Sequence, residues 1–161
     1  MQNISPRFIL ISAFLLLSAM GCKLLTGELA TPEAPAAEPP ETPAGVPFIV
    51  DVVTSTDIEE TTYEPVGITD SFTTSQSIFH CVVITEDAPE STTFKAVWSV
   101  LKVEGVDSGY VIGEYELTAG GSKNIDFAFE PYAGSLPPGE YQVQIFVNGL
   151  PDRVVKFSVL P

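Results

Sequence analysis

The segment Pro138-Gly139-Glu140-Tyr141-Gln142-Val143-Gln144-Ile145-Phe146-Val147-Asn148-Gly149-Leu150-Pro151-Asp152-Arg153-Val154-Val155-Lys156-Phe157-Ser158-Val159 reads as a β-hairpin. Tyr141, Val143, Ile145 and Val147 recur at every second position, the period of a strand with one buried face. Beyond the reversal, Val155, Phe157 and Val159 repeat that period. Strands over Glu140–Val147 and Arg153–Val159 are therefore predicted to bring the two rows together. The reversal, Asn148 to Asp152, opens with Asn and Gly, which supply the positive φ that a tight turn requires.

The same pattern extends upstream through about 114 residues, Phe48 to Pro161, enough for one domain with its own core. No helix of three turns is legible. Strands are predicted at Phe48–Thr54, Ser77–Thr85, Thr93–Glu104, Gly109–Leu117 and Lys123–Phe129, with a short edge strand over Glu64–Ser71. Seven or eight short strands separated by Gly, Pro, Asn and Asp clusters indicate an antiparallel sandwich. Parity selects its core: Phe94, Ala96, Trp98 and Val100 on one strand, Ile125, Phe127 and Phe129 on another.

Three features then resemble the immunoglobulin-like fold. Trp98 stands where that fold carries a core tryptophan on its third strand. Pro138 to Val143 reproduce its corner, with Tyr141 two residues before the position of the second core cysteine. Cys81 would occupy the first cysteine's place, between Phe79 and Val83 on the inward face. The resemblance implies that an apolar Cys81–Val143 contact replaces the disulfide. More narrowly, Ser135–Val159 is similar to the closing hairpin of uncharacterised bacterial Ig-like lipoprotein domains, and the likeness reaches back through Trp98 to Phe72. It implies a fold and no particular chemistry.

The N-terminal residues give a location. Met1–Arg7 is a short segment with one basic side chain, and Phe8–Met20 is apolar. A run of 13 residues reaches roughly 20 Å as a helix, short of the ~30 Å hydrocarbon core, and matches a secretory signal better than a membrane span. Ala19, Gly21 and Cys22 resemble the bacterial lipobox. Small residues there let the peptidase approach, and the thiol takes the diacylglyceryl group. Residues 1–21 are thus expected to be a lipoprotein signal peptide and Cys22 the lipidated residue. The alternative is an ordinary cleaved signal with a coincidental cysteine. Residues 22–47, rich in Pro, Ala and Glu without apolar periodicity, are expected to form a disordered tether, whose stretch from Gly27 to Pro47 reaches up to roughly 65 Å at ~3.1 Å per residue. Residues 48–161 form the domain. By resemblance to enterobacterial lipoproteins, Lys23 after the cysteine favours the outer membrane where the cell has one.

Charge and composition narrow the chemistry. The chain holds 7 Lys and Arg against 21 Asp and Glu, a net charge of −14. An acidic surface disfavours nucleic acid and anionic headgroups as partners. With Cys22 committed to lipid, Cys81 has no partner in the chain and is expected to be a buried apolar residue. His80 is the single histidine; as a strand neighbour of Cys81 it points to the opposite face, so the two do not form a catalytic pair. No zinc-protease helix, nucleophile elbow, phosphate loop or Cys-x-x-Cys occurs. We expect no catalytic residues, no metal and no cofactor. The acids Asp57, Glu59, Glu60 and Glu64, and Glu86, Asp87 and Glu90, read as a solvated rim, with a calcium loop as the alternative. Phe146, Tyr110, Tyr115 and Tyr132 are the candidate outward aromatics, either scattered or forming a recognition patch. The expectation is a non-enzymatic, membrane-anchored binding domain outside the cytoplasm, its partner an unidentified protein or glycan. An envelope-polysaccharide module is the alternative, and a small hydrolase is the less favoured one.

Overall fold

In the computed structural model, residues 45–161 are described; the expected signal peptide, Cys22 and the expected tether up to residue 44 lie outside them. The alternation of apolar and polar residues becomes seven strands, and no helix forms among the described residues. They are β1 (Ile49–Ile58), β2 (Pro65–Ile68), β3 (Ser71–Thr73), β4 (Phe79–Val103), β5 (Val111–Phe129), β6 (Gly139–Val147) and β7 (Leu150–Leu160).

Two of these strands are longer than the sequence pattern suggests. The strands expected at Ser77–Thr85 and Thr93–Glu104 are one strand, β4, and those at Gly109–Leu117 and Lys123–Phe129 are also one, β5. The segment Glu86-Asp87-Ala88-Pro89-Glu90-Ser91 has turn composition, but here it bends a continuous ladder instead of ending it. The β4–β5 register shifts between Thr85 and Ala88 and again before Thr92, and Asp87 and Ser91 take positive φ values of 53° and 64°. Such bulges turn a strand from one layer into the next. The first half of β4 pairs with β1 and the second half of β5, while β2 lies against β1. The second half of β4 pairs with the first half of β5 and with β6, followed by β7. The short β3 closes the second layer by running parallel to β7.

The inward rows of both layers meet in one core. Trp98 of the second layer stacks on Phe129 of the first, with ring centroids 5.3 Å apart, and Phe79 packs at 5.8 Å from Phe157. Phe129 comes so close to the β5 backbone that a Cβ on Gly113 would sit 2.9 Å from its ring, so this position requires glycine. Cys81 and Val143 are both fully buried members of the core. The Tyr141 hydroxyl donates to the Pro137 carbonyl oxygen at 2.7 Å, which is the tyrosine corner of immunoglobulin domains. With Trp98 in the core and two layers connected as above, the domain is an all-β, Ig-like sandwich.

The closing hairpin turns more sharply than expected. Asn148 and Gly149 have φ values of 49° and 80°, so they form a two-residue turn and β7 starts at Leu150, opposite Val147. The residues assigned to the turn from sequence are instead accommodated by a bulge: Phe146 pairs with Pro151, but Ile145 pairs with Arg153. The bulge swings Asp152 inward, where it is buried. Its Oδ1 accepts the Val46 amide at 2.5 Å, and Arg153 Nη2 donates to the Ile49 carbonyl at 2.5 Å. The chain is therefore held to the domain from Val46 onward.

Candidate binding surface at the β1–β2 hairpin

Cys81 faces the core, so its neighbours His80 and Val82 must face away from it. Both are nevertheless buried, Val82 completely. The path of β1 explains this. β1 pairs with β4 as far as Ser55, opposite His80, and its last residues then pair with β2. The loop joining β1 to β2 does not project outward. Asn124 Nδ2 on β5 donates to the Thr62 carbonyl at 3.1 Å, and β5 lies on the far side of β4 from β1. The hairpin thus crosses the outer face of the first layer.

Beneath it, His80 Nδ1 lies 3.0 Å from Asp126 Oδ2, with little of either side chain exposed. Asp126 Oδ1 has no hydrogen-bond partner among the described residues. Ser55 stands directly opposite His80, which puts Ser, His and Asp on three adjacent strands. The hydroxyl of Ser55, however, donates to the Asp57 carbonyl at 3.0 Å, and Ser55 is fully buried. A nucleophile must reach both its base and its substrate; this serine is bonded elsewhere and sealed.

The hairpin tip is built around Glu59. Its Oε2 accepts the amides of Thr61 at 2.9 Å and Thr62 at 2.6 Å and the Thr62 hydroxyl at 2.8 Å. These bonds, those from Thr62 foremost, hold the carboxyl below its ordinary pKa. The Tyr63 amide returns to the Glu59 carbonyl, and the Glu59 amide to that of Glu64. This closure forces Tyr63 to a φ of 55°, a left-handed conformation that glycine or asparagine adopts readily and an aromatic residue seldom does. Tyr63 remains 47% exposed.

Tyr63, Lys123 and Asn124 line two adjoining grooves. The larger, about 550 Å³, continues past Thr61, Thr62 and Ser122. The smaller, about 230 Å³, runs along the β5 edge past Leu117, Ala119 and Ile125 and is bounded by Asp126. Neither is lined by His80. One groove is thus hydroxyl-rich, and the other adds an apolar wall of Leu117, Ala119 and Ile125.

The residues singled out from sequence lie elsewhere. Cys22 is outside the described residues. Burial pushes the Cys81 thiol far above its ordinary pKa, with the Asp126 charge adding to the effect, which suits a core residue and not a nucleophile. Phe146 faces outward, and its neighbour is Lys95, whose Nζ sits 5.9 Å from the ring centroid. Tyr110 bonds to β4 at Val100, five residues along from Lys95, roughly 17 Å away at strand spacing. Phe146 and Tyr110 therefore form no joint patch. Tyr132 is fully exposed. Among the described residues, no group of three or more His, Cys, Asp or Glu side chains is arranged to hold a metal ion. The Tyr63 site has no sequence signature, because nothing in Thr-Thr-Tyr-Glu marks the left-handed position of its loop.

No protein-family model matches the chain, and no curated protein sequence does. Among solved structures it is similar to an immunoglobulin-like protein of Pseudomonas aeruginosa, at 14% identity and a TM-score of 0.48, over 70% of this chain and 94% of that one. It is also similar to the ligand-binding region of serine-glutamate repeat protein A of Enterococcus faecium, at 13% identity and a TM-score of 0.32, over 69% and 98%. A β-glucosidase of Listeria innocua matches at 8% identity and a TM-score of 0.39, over 68% of this chain and 16% of the enzyme.

Proposed function

We propose that the chain is a lipoprotein of the bacterial envelope, anchored through Cys22, whose Ig-like domain is a non-catalytic binding module facing outside the cytoplasm. The observation that carries the binding role is Tyr63: an exposed aromatic held in a strained backbone conformation between two grooves. Backbone strain of this kind clusters at sites that hold a ligand or partner. The non-catalytic reading is supported by the histidine, which is buried against Asp126 and reaches neither groove. The anchor is supported by the lipobox-like Ala19-Met20-Gly21-Cys22 and the Pro-rich stretch after it. Two or three acyl chains would hold the protein firmly, where one alone binds marginally.

The test has two parts. In a bacterial host, the N-terminal peptide of the mature protein should begin at Cys22 and carry the acyl mass, and Cys22→Ser should leave precursor or released protein. Unchanged mass and membrane partitioning in that variant would contradict the anchor. Detergent-solubilised full-length protein should be retained on immobilised envelope material; retention on none of its protein or glycan fractions would contradict the binding role.

A further inference from the structure

Resting on that binding role, we propose that the two grooves beside Tyr63 take an uncharged saccharide chain, with the Tyr63 ring as the platform under one sugar. A sugar ring offers one face of C–H groups and a rim of hydroxyls. It needs an aromatic surface beneath it and a few donors and acceptors around it. The hairpin tip supplies both. Tyr63 stands 47% exposed at the junction of the grooves, Lys123 and Asn124 line both of them, and Thr61 and Ser122 extend the polar one. Leu117 and Ala119 give the other groove an apolar wall for a neighbouring ring. Two adjoining grooves suit successive units of a chain better than one isolated sugar.

Charge selects among polymers. Lys123 lines both grooves and Asp126 offsets it in the smaller one, while Glu59, Glu60 and Glu64 flank Tyr63 in sequence on a chain of net charge −14. A polyanion is therefore repelled, and a neutral chain is not. A folded protein partner is the poorer fit, because it needs on the order of 800 Å² of matching surface per side, and what the tip offers is a pair of grooves.

The backbone of Tyr63 makes the inference separable from a structural role. At φ 55° glycine is the relaxed residue, so Tyr63→Gly removes the platform without threatening the fold. Full-length protein in detergent is titrated calorimetrically with two soluble probes, the linear tetrasaccharides of glucose and of N-acetylglucosamine. At least one should bind; Tyr63→Gly should weaken it by roughly tenfold or more, and Tyr63→Phe should leave it nearly unchanged. Binding of neither probe overturns the inference, as does equal binding by Tyr63→Gly. If the wild-type protein still retains an envelope protein in that case, the saccharide is wrong and the binding role stands. If it retains nothing, both fall.

Discussion

The Tyr141 hydroxyl illustrates how a single group fixes a corner of the fold. Tyr141→Phe would leave the Pro137 carbonyl without its 2.7 Å donor, and the expected loss is about 1 kcal/mol, measured by denaturant unfolding. Burial raises the Tyr141 pKa, so the phenol keeps its donor proton through neutral pH. Trp98 carries more: Trp98→Ala opens a cavity between the layers beside Phe129 and should cost about 3–5 kcal/mol. An unchanged unfolding midpoint in either variant would deny that residue its place in the core. Trp98, Tyr141 and Cys81 were legible in the sequence because side-chain parity assigns faces without knowledge of the pairing. The His80–Asp126 pair was not legible, because it depends on the β4–β5 register. Tyr63 was hidden for a related reason: its strain follows from how Glu59 closes the loop.

At the scale of elements, the two hairpins differ in how their turns are held. The β6–β7 turn relies on backbone conformation. Gly149→Ala places a Cβ at φ 80° and should destabilise the domain by about 1–2 kcal/mol, with thermal unfolding as the readout. The β1–β2 tip relies instead on an ionised carboxylate. The folded-state pKa of Glu59 lies below its ordinary 4.5. Its contribution is therefore present above that ordinary value and is lost as pH falls through the lowered one. Between pH 6 and pH 3, amide exchange of Thr61 and Thr62, corrected for intrinsic rates, should accelerate severalfold. Glu59→Gln should exchange faster at pH 6 and respond less to acid; pH-independent protection would remove the carboxylate from the account. The strand pattern was readable for β1, β6 and β7 to within a few residues. The fusion of four expected strands into β4 and β5 was not, because Glu86–Ser91 has the composition of a loop and becomes a bend only through two bulges that let β5 keep pairing on either side of it.

For the whole molecule, the sandwich and the hairpin folded across its outer face are parts of one arrangement. The Ig-like core buries the inward rows of both layers; the hairpin tip bonds to Asn124 and carries Tyr63 to the β5 edge beside Leu117, Ala119 and Asp126. The fold class was legible from the closing hairpin and the single tryptophan. The crossing was not, since it joins Thr62 to Asn124 across 62 residues of sequence. Under the proposed binding role, the domain holds Tyr63 against its backbone preference, at φ 55°, for what the side chain does at the surface. The most direct measurement is the melting temperature of Tyr63→Gly beside wild type. Relief of the left-handed strain should stabilise the domain by about 1 kcal/mol, a rise of roughly 4 °C. A fall in melting temperature would show that the ring supports the fold, and would contradict the claim.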